Sequence, residues 1–361
     1  MPNRPIAFFI TPHGFGHATR AAAVMAALQE KDPAIHFHIF TQVSSHIFQD
    51  SLPGSFTYHD LCTDIGMVQK NPLQADLPAT LTRLDTFYPL DPDRISNLFV
   101  QVKRLKCDLI LCDIAPIGIL VAQEAQIPSI LIENFTWDWI YEGYLDLEPA
   151  LKKHIHYLKT LFHSATYHIQ TQPVCNPVSP DLTVNPVSRK IRTTRADILK
   201  KLALPPNATA ILITMGGTPF QYHDPDALSA DPNCFFLLPN SGETLKTEAN
   251  LVHIPHKSPI FHPDLVSASD VVIAKVGYSI LAEVYRSGVP FGYIPRPGFR
   301  ESGTLTTFIE HNMPGLPITD SAFESGTWVH ALPDLLSLSR ASCSDPNGAD
   351  QIADFLLRLT L

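Results

Sequence analysis

The sequence predicts an α/β protein with two halves of similar size, each built on a parallel β-sheet with helices on both faces. In both halves, short apolar runs alternate with helical stretches, as in strands buried on both faces of a parallel sheet. Between the halves, residues 172–194 are rich in proline and polar residues and show no periodicity, which is typical of a linker. We therefore expect an N-terminal domain over residues 1–172, a linker over 173–194, a C-terminal domain over 195–345 and a final helical segment over 346–361.

The elements of the first half follow from its apolar runs and from its alanine and proline residues. Ile6–Thr11 is apolar and predicts a strand, and Ala18–Gln29 is rich in alanine, the strongest helix former. Leu61–Asp93 is rich in proline and aspartate and predicts a long loop near a ligand site. The other predicted elements are strands at His36–Thr41, Phe56–Leu61, Asp108–Ile114 and Ser129–Glu133, and helices near Ser45–Gln49, Ile95–Leu105, Ile117–Gln126 and Trp139–Phe162.

The second half repeats the alternation of strands and helices. Its last helix, Gly348–Leu359, is amphipathic, and either Asp345 or Asn347 can cap it. The other predicted elements are strands at Ala210–Met215, Cys234–Leu238, Leu251–Pro255, Asp270–Lys275 and Pro290–Pro295, and helices at Ser279–Ser287 and near Thr304–His311.

Composition and charge exclude several classes of protein. Of the 361 residues, 45% are hydrophobic and 17% are charged, so the chain can bury a sizeable core. The net charge of −9 argues against nucleic-acid binding, which needs clustered lysine and arginine. No apolar run reaches the roughly 18–20 residues of a membrane span, and the N-terminus lacks the pattern of a signal peptide. The six cysteines form no C-x-x-C pair, so we expect reduced cysteines and a cytoplasmic location.

The sharpest motif is HGFGHATR, which begins at His13 between the first predicted strand and its helix. Gly14 and Gly16 allow a tight turn in which the backbone approaches a ligand closely. His17 then stands at a helix start, where an imidazole can act as a general base and the helix dipole attracts an anion. A simple turn with His17 as a helix cap does not account for the combination that also includes Arg20, so we favour a functional loop.

Three further candidates lie in the first half. Asp113 ends a predicted strand and can orient a base, and it can equally cap the following helix. Trp137 and Asp138 belong to the cluster FTWDW after another strand, which fits either a sugar pocket or the protein core.

The second half contains a strand, a glycine turn and a helix in succession. The strand ends at Lys275, Gly277 makes the turn, and the helix that begins near Tyr278 and Ser279 can bind phosphate oxygens at its N-terminus. Glu283 lies on the same helical face as Ser279, so its carboxylate can accept hydrogen bonds from ribose hydroxyls. This spacing favours a nucleotide site over a helix with an exposed glutamate.

A glycine-rich loop, Gly216-Gly217-Thr218, follows the first strand of the second half and is either a turn or another part of that site. We also assign Pro255, where its predicted strand ends, to the nucleotide site. No P-loop motif occurs, which excludes a P-loop NTPase, and no G-x-S-x-G occurs, so the sequence has no nucleophile elbow of the α/β-hydrolase type. Nothing in the sequence demands a divalent cation or a cofactor, and we expect neither.

With these motifs the sequence resembles nucleotide-sugar glycosyltransferases of the GT-B fold, and more closely the glycosyltransferase-like amino-terminal region of plant L-arabinokinases. The resemblance does not include the galactokinase-like half of those proteins, so we expect no kinase activity. More distantly, the sequence is similar to the lipid II N-acetylglucosaminyltransferase and to hydrolases that remove UDP from a modified sugar. The stretches that carry the resemblance are HGFGHATR from His13, DIAP from Asp113, NFTWDWIYEGY from Asn134, the Gly216-Gly217 loop, PDLVSASDVVIAKVGYSILAE from Pro263 and PRPGFRES from Pro295.

The resemblance implies two Rossmann-like domains that face a central cleft, with the final helix crossing back to the first domain. It also implies that His17 is the base and Arg20 a supporting charge. The implied donor contacts are Gly277, Tyr278 and Ser279 for the diphosphate, Glu283 for the ribose, and Glu301 and Ser302 for the donor sugar.

Three functions agree with these residues. The leading one is an inverting, metal-independent glycosyltransferase that uses a nucleoside-diphosphate sugar, with a UDP-sugar favoured, and an acceptor hydroxyl deprotonated by His17. A nucleotide-sugar hydrolase would use the same site with water as the nucleophile. A non-catalytic module that binds a sugar nucleotide is the third, because a fold does not determine a function.

Overall fold

A computed structural model describes residues 4–71, 74–216, 233–255, 258 and 260–359 of the chain. The chain divides into two compact units, and each unit has its own seven-stranded sheet. The first unit contains Met1–Arg189, Gly298–Glu301 and Pro346–Leu361, and the second unit contains Lys190–Pro297 and Ser302–Asp345.

The strands of the first unit form a parallel sheet and a small antiparallel pair. In chain order they are β1 (Arg4–Ile10), β2 (Ile35–Thr41), β3 (Phe56–Asp60), β4 (Gln69–Asn71), β5 (Gln74–Ala75), β6 (Ile110–Asp113), β7 (Ser129–Glu133), β8 (Tyr167–Thr171) and β9 (Leu182–Val184). β4 pairs with β5, and the other strands are all parallel in the order β3-β2-β1-β6-β7-β8-β9. This confirms the parallel sheet that the apolar runs predict. Ile10 pairs with Asp113, so the carboxyl ends of β1 and β6 lie side by side.

The helices of the first unit are α1 (Gly14–Lys31), α2 (His46–Ser51), α3 (Leu77–Phe87), α4 (Pro92–Arg104), α5 (Pro116–Ala125), α6 (Trp137–Glu142), α7 (Lys152–His163) and α14 (Gly348–Leu359). α1 begins before the predicted Ala18 and packs against α14. The cap of α14 is Asn347, whose Oδ1 accepts a hydrogen bond from the Ala349 N–H (3.0 Å). α14 therefore belongs to the first unit.

The prediction of one long helix over Trp139–Phe162 is wrong. The structure has α6, a short 3₁₀ helix at Pro149–Leu151 and α7 in that region. Gly143 follows α6 as its C-cap, and Pro149 has no N–H with which to continue a helix. The apolar periodicity of the two helices conceals the break between them.

Two proline-rich segments contain regular structure. The prediction of a long loop over Leu61–Asp93 is wrong, because α3 lies within it. Asp76 caps α3 by accepting a hydrogen bond from the Ala79 N–H (3.0 Å), and a proline in the first turn of a helix costs no hydrogen bond. Residues 173–194 contain β9, which pairs with β8 at the edge of the sheet.

The second unit has a sheet in the order β12-β13-β11-β10-β14-β15-β16. Its strands are β10 (Thr209–Thr214), β11 (Cys234–Pro239), β12 (Lys246–Glu248), β13 (Leu251–Ile254), β14 (Val271–Lys275), β15 (Phe291–Ile294) and β16 (Gly315–Pro317). All pairs are parallel except that of β12 and β13 at one edge. Its helices are α8 (Arg195–Lys201), α9 (His262–Ala268), α10 (Tyr278–Ser287), α11 (Glu301–Asn312), α12 (Asp320–Glu324) and α13 (Leu332–Ser337).

The second sheet is apolar on both faces. Val272 and Ala274 of β14 pack into one hydrophobic cluster, and Val271 and Ile273 pack into another. Because successive side chains of a strand point to opposite faces, both faces are covered, as the continuous apolar run predicts. Among the described residues, no helix combines the length and the apolar character needed to cross a membrane. The six cysteines all lie within the described ranges, and none of them forms a disulfide bond.

Candidate active site

The loop between β1 and α1 places a histidine at the carboxyl edge of the first sheet. Gly14, the first residue of α1, has a φ of +70°, in the left-handed region that favours glycine. A Cβ atom at this position would meet no atom within 4 Å in the part of the chain that the structure describes, so the backbone conformation and not crowding favours glycine. Gly16 lies in the same turn, where its carbonyl accepts a hydrogen bond from the Thr19 hydroxyl (2.8 Å). His17 follows with its side chain only 10% exposed.

The imidazole of His17 is directed by Asp113, the last residue of β6. The Nδ1 atom of His17 lies 2.8 Å from Asp113 Oδ1, and the carboxylate is fully buried. An ionised carboxylate only accepts hydrogen bonds, so Nδ1 carries the proton and donates it. The neutral ring then has its lone pair on Nε2, which can accept a proton from a substrate.

Arg20 keeps Asp113 ionised. The Nε and Nη2 atoms of Arg20 donate to Oδ2 and Oδ1 of Asp113, both at 2.7 Å, in a bidentate pair. Burial raises the pKa of Asp113, but the charge and hydrogen bonds of Arg20, together with those of His17, outweigh it and hold that pKa below its ordinary value. Arg20 is itself 2% exposed, so this is a buried ion pair.

Two more residues, Asn134 and Glu301, extend the hydrogen-bond network beyond Arg20. Its Nη1 atom donates to Asn134 Oδ1 (2.6 Å), and Asn134 Nδ2 donates to Glu301 Oε1 (2.7 Å). Sequence reasoning did not assign Asn134 to the site. It directly follows β7, the neighbour of β6, and this position at a strand end is the signal that could have identified it.

Aromatic side chains surround the histidines of the loop. Trp137 contacts the ring of His13 edge-on (4.9 Å between centroids) and lies 6.3 Å from the ring of His17. Phe135 is 5.8 Å from His17. Trp137 and Phe135 are 1% and 2% exposed, so they pack as part of the core beneath the loop. Asp138 is also buried, its Oδ1 has no hydrogen-bond partner in the described part of the chain, and burial raises its pKa.

A second buried aspartate, Asp64, lies beside this cluster, and sequence reasoning missed it within the supposed loop. Its carboxyl group accepts hydrogen bonds from the Thr11 hydroxyl (2.6 Å) and from Trp137 Nε1 (3.1 Å). Burial raises the pKa of Asp64 to about 7. The carboxyl group that holds the indole of Trp137 therefore titrates near neutral pH.

In the second unit, the turn after β14 has the predicted form. Gly277 is the N-cap of α10, and a Cβ atom there would meet no atom of the described residues within 4 Å. Tyr278 and Ser279 are the first residues of α10. Glu283, at 4% exposure, accepts a hydrogen bond from His262 Nδ1 (2.9 Å). The predicted ribose-binding carboxylate is thus held by a histidine of α9.

The end of β14 carries positive charge. Lys275 packs against Gly216, which has a φ of +73°, with its Cε atom 3.5 Å from the position of a Cβ there. Burial and the nearby charge of Arg296 lower the pKa of Lys275 to about 8. Ser302 accepts a hydrogen bond from the Arg296 N–H (2.8 Å). Pro255 follows β13 and is half-buried, and Gly217 and Thr218 lie outside the described residues.

The predicted residues thus fall into two groups, one in each unit. The first group is connected by the contacts described above and comprises His13, His17, Arg20, Asp113, Trp137 and Glu301. The second group lies around the ends of β10 and β14 and comprises Gly216, Gly277, Tyr278, Ser279 and Glu283. Within the described ranges, no three histidine, cysteine or acidic side chains are arranged to hold a metal ion.

The sequence profile of the family described as Glycosyl transferase family 1 matches residues 5–321. An L-arabinokinase of Arabidopsis thaliana is 24% identical over 355 residues, which are 97% of this chain and 34% of that protein. This chain therefore spans about a third of the length of the curated relative it matches. The match confirms the resemblance to plant L-arabinokinases.

Solved structures of glycosyltransferases are similar to this chain over nearly its whole length. The glycotransferase of kitacinnamycin has a TM-score of 0.66 and 14% identity, covering 99% of both chains. MurG of Acinetobacter baumannii has a TM-score of 0.58 and 16% identity, covering 99% of this chain and 100% of MurG. A UDP-glucosyltransferase from Polygonum tinctorium that glucosylates indoxyl has a TM-score of 0.62 and 14% identity, covering 99% and 93%. These likenesses confirm the GT-B fold.

Proposed function

Because the chain belongs to glycosyl transferase family 1, we propose that it transfers a sugar from a nucleoside-diphosphate sugar to a hydroxyl group, with His17 as the general base. We propose a UDP-sugar as the donor, inversion at the anomeric carbon and no metal ion. The observation that carries the proposal is the hydrogen bond from His17 to the buried, ionised Asp113. This bond supports a base whose free lone pair is on Nε2.

In the proposed reaction, His17 Nε2 takes the proton of the acceptor hydroxyl while the hydroxyl oxygen attacks the anomeric carbon. The bond from that carbon to the diphosphate oxygen breaks, and the nucleoside diphosphate leaves with the electron pair. Attack opposite the leaving group inverts the anomeric configuration. Asp113 balances the charge of the imidazolium that forms, and a positioned general base contributes about 10²–10⁴-fold to the rate.

We propose that the second unit binds the nucleoside diphosphate near the ends of β10 and β14. Gly277, Tyr278 and Ser279 form a helix N-terminus, whose N–H groups and positive dipole suit the diphosphate. Lys275 adds positive charge at the end of β14. We assign Glu283 to the ribose. The proposal also assigns Gly216, Gly217, Thr218 and Pro255 to the nucleotide sugar, and Glu301 and Ser302 to the donor sugar.

Two other functions use the same residues and differ in what is released. A hydrolase would use His17 to activate water and would release nucleoside diphosphate from the donor alone. A transferase releases it only when an acceptor is present. A binding module would bind the donor without turnover, and loss of His17 would have little consequence for it.

Titration calorimetry with UDP, GDP, dTDP and ADP tests the donor site. We expect UDP to bind to the wild-type protein and binding to be lost in Glu283→Ala. Glu283→Gln, which keeps an oxygen for His262, separates the loss of charge from a loss of packing. Glu324→Ala removes an exposed glutamate of α12 and should bind UDP like the wild type. Absence of binding by all four diphosphates would overturn the proposal.

A further inference from the structure

A continuous line of hydrogen bonds joins Glu301 to the proposed base. Starting at Glu301, it passes through the Asn134 amide, the Arg20 guanidinium and the Asp113 carboxylate to His17 Nδ1. Resting on the proposed function, we propose that Asn134 and Glu301 are positioning residues for His17. They act on the base through Arg20 and Asp113.

The chemistry of Asn134 determines the direction of this line. A guanidinium has no acceptor, so it must face the amide oxygen, and a carboxylate only accepts, so it must face the amide nitrogen. Of the two possible orientations of the Asn134 amide, only one satisfies both Arg20 and Glu301. The backbone of Asn134 is held as well, because its carbonyl accepts a hydrogen bond from the Cys175 N–H (2.8 Å). As long as residue 301 is a glutamate, neither leucine nor an ionised aspartate can replace this amide, because residue 134 must donate to Glu301 and accept from Arg20.

The position of Arg20 affects the tautomer of His17. Arg20 Nη2 lies 3.2 Å from His17 Nδ1 and 2.7 Å from Asp113 Oδ1, so a small shift of the guanidinium changes which group it contacts. If Arg20 donated to Nδ1, the ring proton would move to Nε2 and the base would be lost. Asn134 anchors Nη1 at 2.6 Å and thereby keeps the other two nitrogens on Asp113.

Glu301 is itself held firmly, because it and the three residues before it belong to the first unit and contact other residues of that unit. Tyr144 donates its hydroxyl to the Gly298 carbonyl, and the Phe299 ring lies 6.5 Å from the ring of His13. Arg300 stacks over the ring of Trp139 (4.1 Å from its centroid). Glu301 is 5% exposed. A surface glutamate could not fix Asn134, whereas this one is placed by its three neighbours.

Reversing the bond between Asn134 and Glu301 tests the proposal. In Asn134→Asp, the carboxylates of residues 134 and 301 face each other and repel. The repulsion moves the side chain of residue 134, and the Arg20 guanidinium that this side chain holds moves with it. In Asn134→Asp/Glu301→Gln, the new carboxylate accepts from Arg20 and from the glutamine amide, so the line of hydrogen bonds is restored. We expect kcat to fall roughly tenfold in the single variant, a loss of the size measured for strongly coupled neighbours, and to recover in the double variant. Asn312→Asp, an exposed change of the same type on α11, should have the wild-type kcat.

The ¹⁵N chemical shifts of the His17 ring provide a readout that needs no substrate. The signals are assigned by their absence from His17→Gln. We expect a proton on Nδ1 in the wild type, a shift towards Nε2 in Asn134→Asp, and recovery in the double variant. If Asn134→Asp does not fold, Glu301→Ala, which removes the acceptor of Asn134, should produce the same shift.

The two readouts separate the two proposals. The tautomer of His17 could shift in Asn134→Asp and recover in the double variant of a protein that transfers no sugar. That result would support the positioning role and refute the proposed function. A double variant that fails to recover both kcat and the tautomer, or a Glu301→Ala variant with the wild-type tautomer, would overturn the positioning role. A change in melting temperature alone, with kcat and tautomer unchanged, would also overturn it.

Discussion

The substitution Asp113→Asn should affect both the proposed base and the stability of the first unit. The carboxylate accepts one hydrogen bond from His17 (2.8 Å) and two from Arg20 (2.7 Å each). An amide has one oxygen and one NH₂ group, so it cannot accept all three. If its NH₂ group faces His17, Nδ1 must become the acceptor, and the ring proton moves to Nε2, where it blocks the base.

Two separate losses should result from this change. The loss in kcat should be about 10²–10⁴-fold, which is the usual contribution of a positioned general base. The free energy of unfolding should fall by about 3–5 kcal/mol, the cost of removing one partner of a buried ion pair. The reason is that Arg20, at 2% exposure, remains charged without its carboxylate.

The assays are nucleoside-diphosphate release for kcat and urea unfolding for stability. UDP affinity by calorimetry should stay at the wild-type value, because the proposed nucleotide site lies in the second unit. Asp64→Asn is the matched control for stability. It replaces an aspartate of the same unit that is 1% exposed and whose partners, Thr11 and Trp137, are both neutral. An Asp113→Asn protein with wild-type kcat and wild-type stability would refute the reasoning.

Three further predictions concern charged groups. Burial and Arg296 lower the pKa of Lys275 to about 8, so calorimetry should show UDP affinity falling above about pH 8, and Lys275→Met should remove this dependence. Burial raises the pKa of Asp64 to about 7, so the folded state holds this proton more tightly than the unfolded state. The stability from this group is therefore present at acid pH and is lost as pH rises from about 4 to about 7, and urea unfolding should show a smaller decline in Asp64→Asn. Arg300→Ala should lower the free energy of unfolding by about 1 kcal/mol in the same assay, because the guanidinium no longer stacks on Trp139.

Local sequence signals predicted the elements that carry the site. The motif HGFGHATR lies between an apolar run and an alanine-rich run, so its place between β1 and α1 follows from the chain itself. Parallel strands bring their carboxyl ends to one edge, which is why Asp113 at the end of β6 reaches His17. The sequence alone could therefore identify both His17 and Asp113 as candidate site residues, without knowledge of their contact.

Long-range pairs could not be predicted in this way. Asn134 and Glu301 are 167 positions apart, and no local sequence pattern around either residue predicts their contact. The same limit explains why the sequence did not identify Asp64 as part of the site, because its partners Thr11 and Trp137 come from distant segments. These contacts depend on how elements pack, and apolar periodicity reports only which face of an element is buried.

The rate of nucleoside-diphosphate release from UDP-sugars tests the central claim most directly. It is measured with and without a panel of hydroxyl acceptors, for the wild type and for His17→Gln. The account predicts release only with an acceptor, a product of inverted anomeric configuration by NMR, and a rate about 10²–10⁴-fold lower in the variant. Release from the donor alone would identify a hydrolase, and equal rates in the two proteins would contradict the role of His17 as the base.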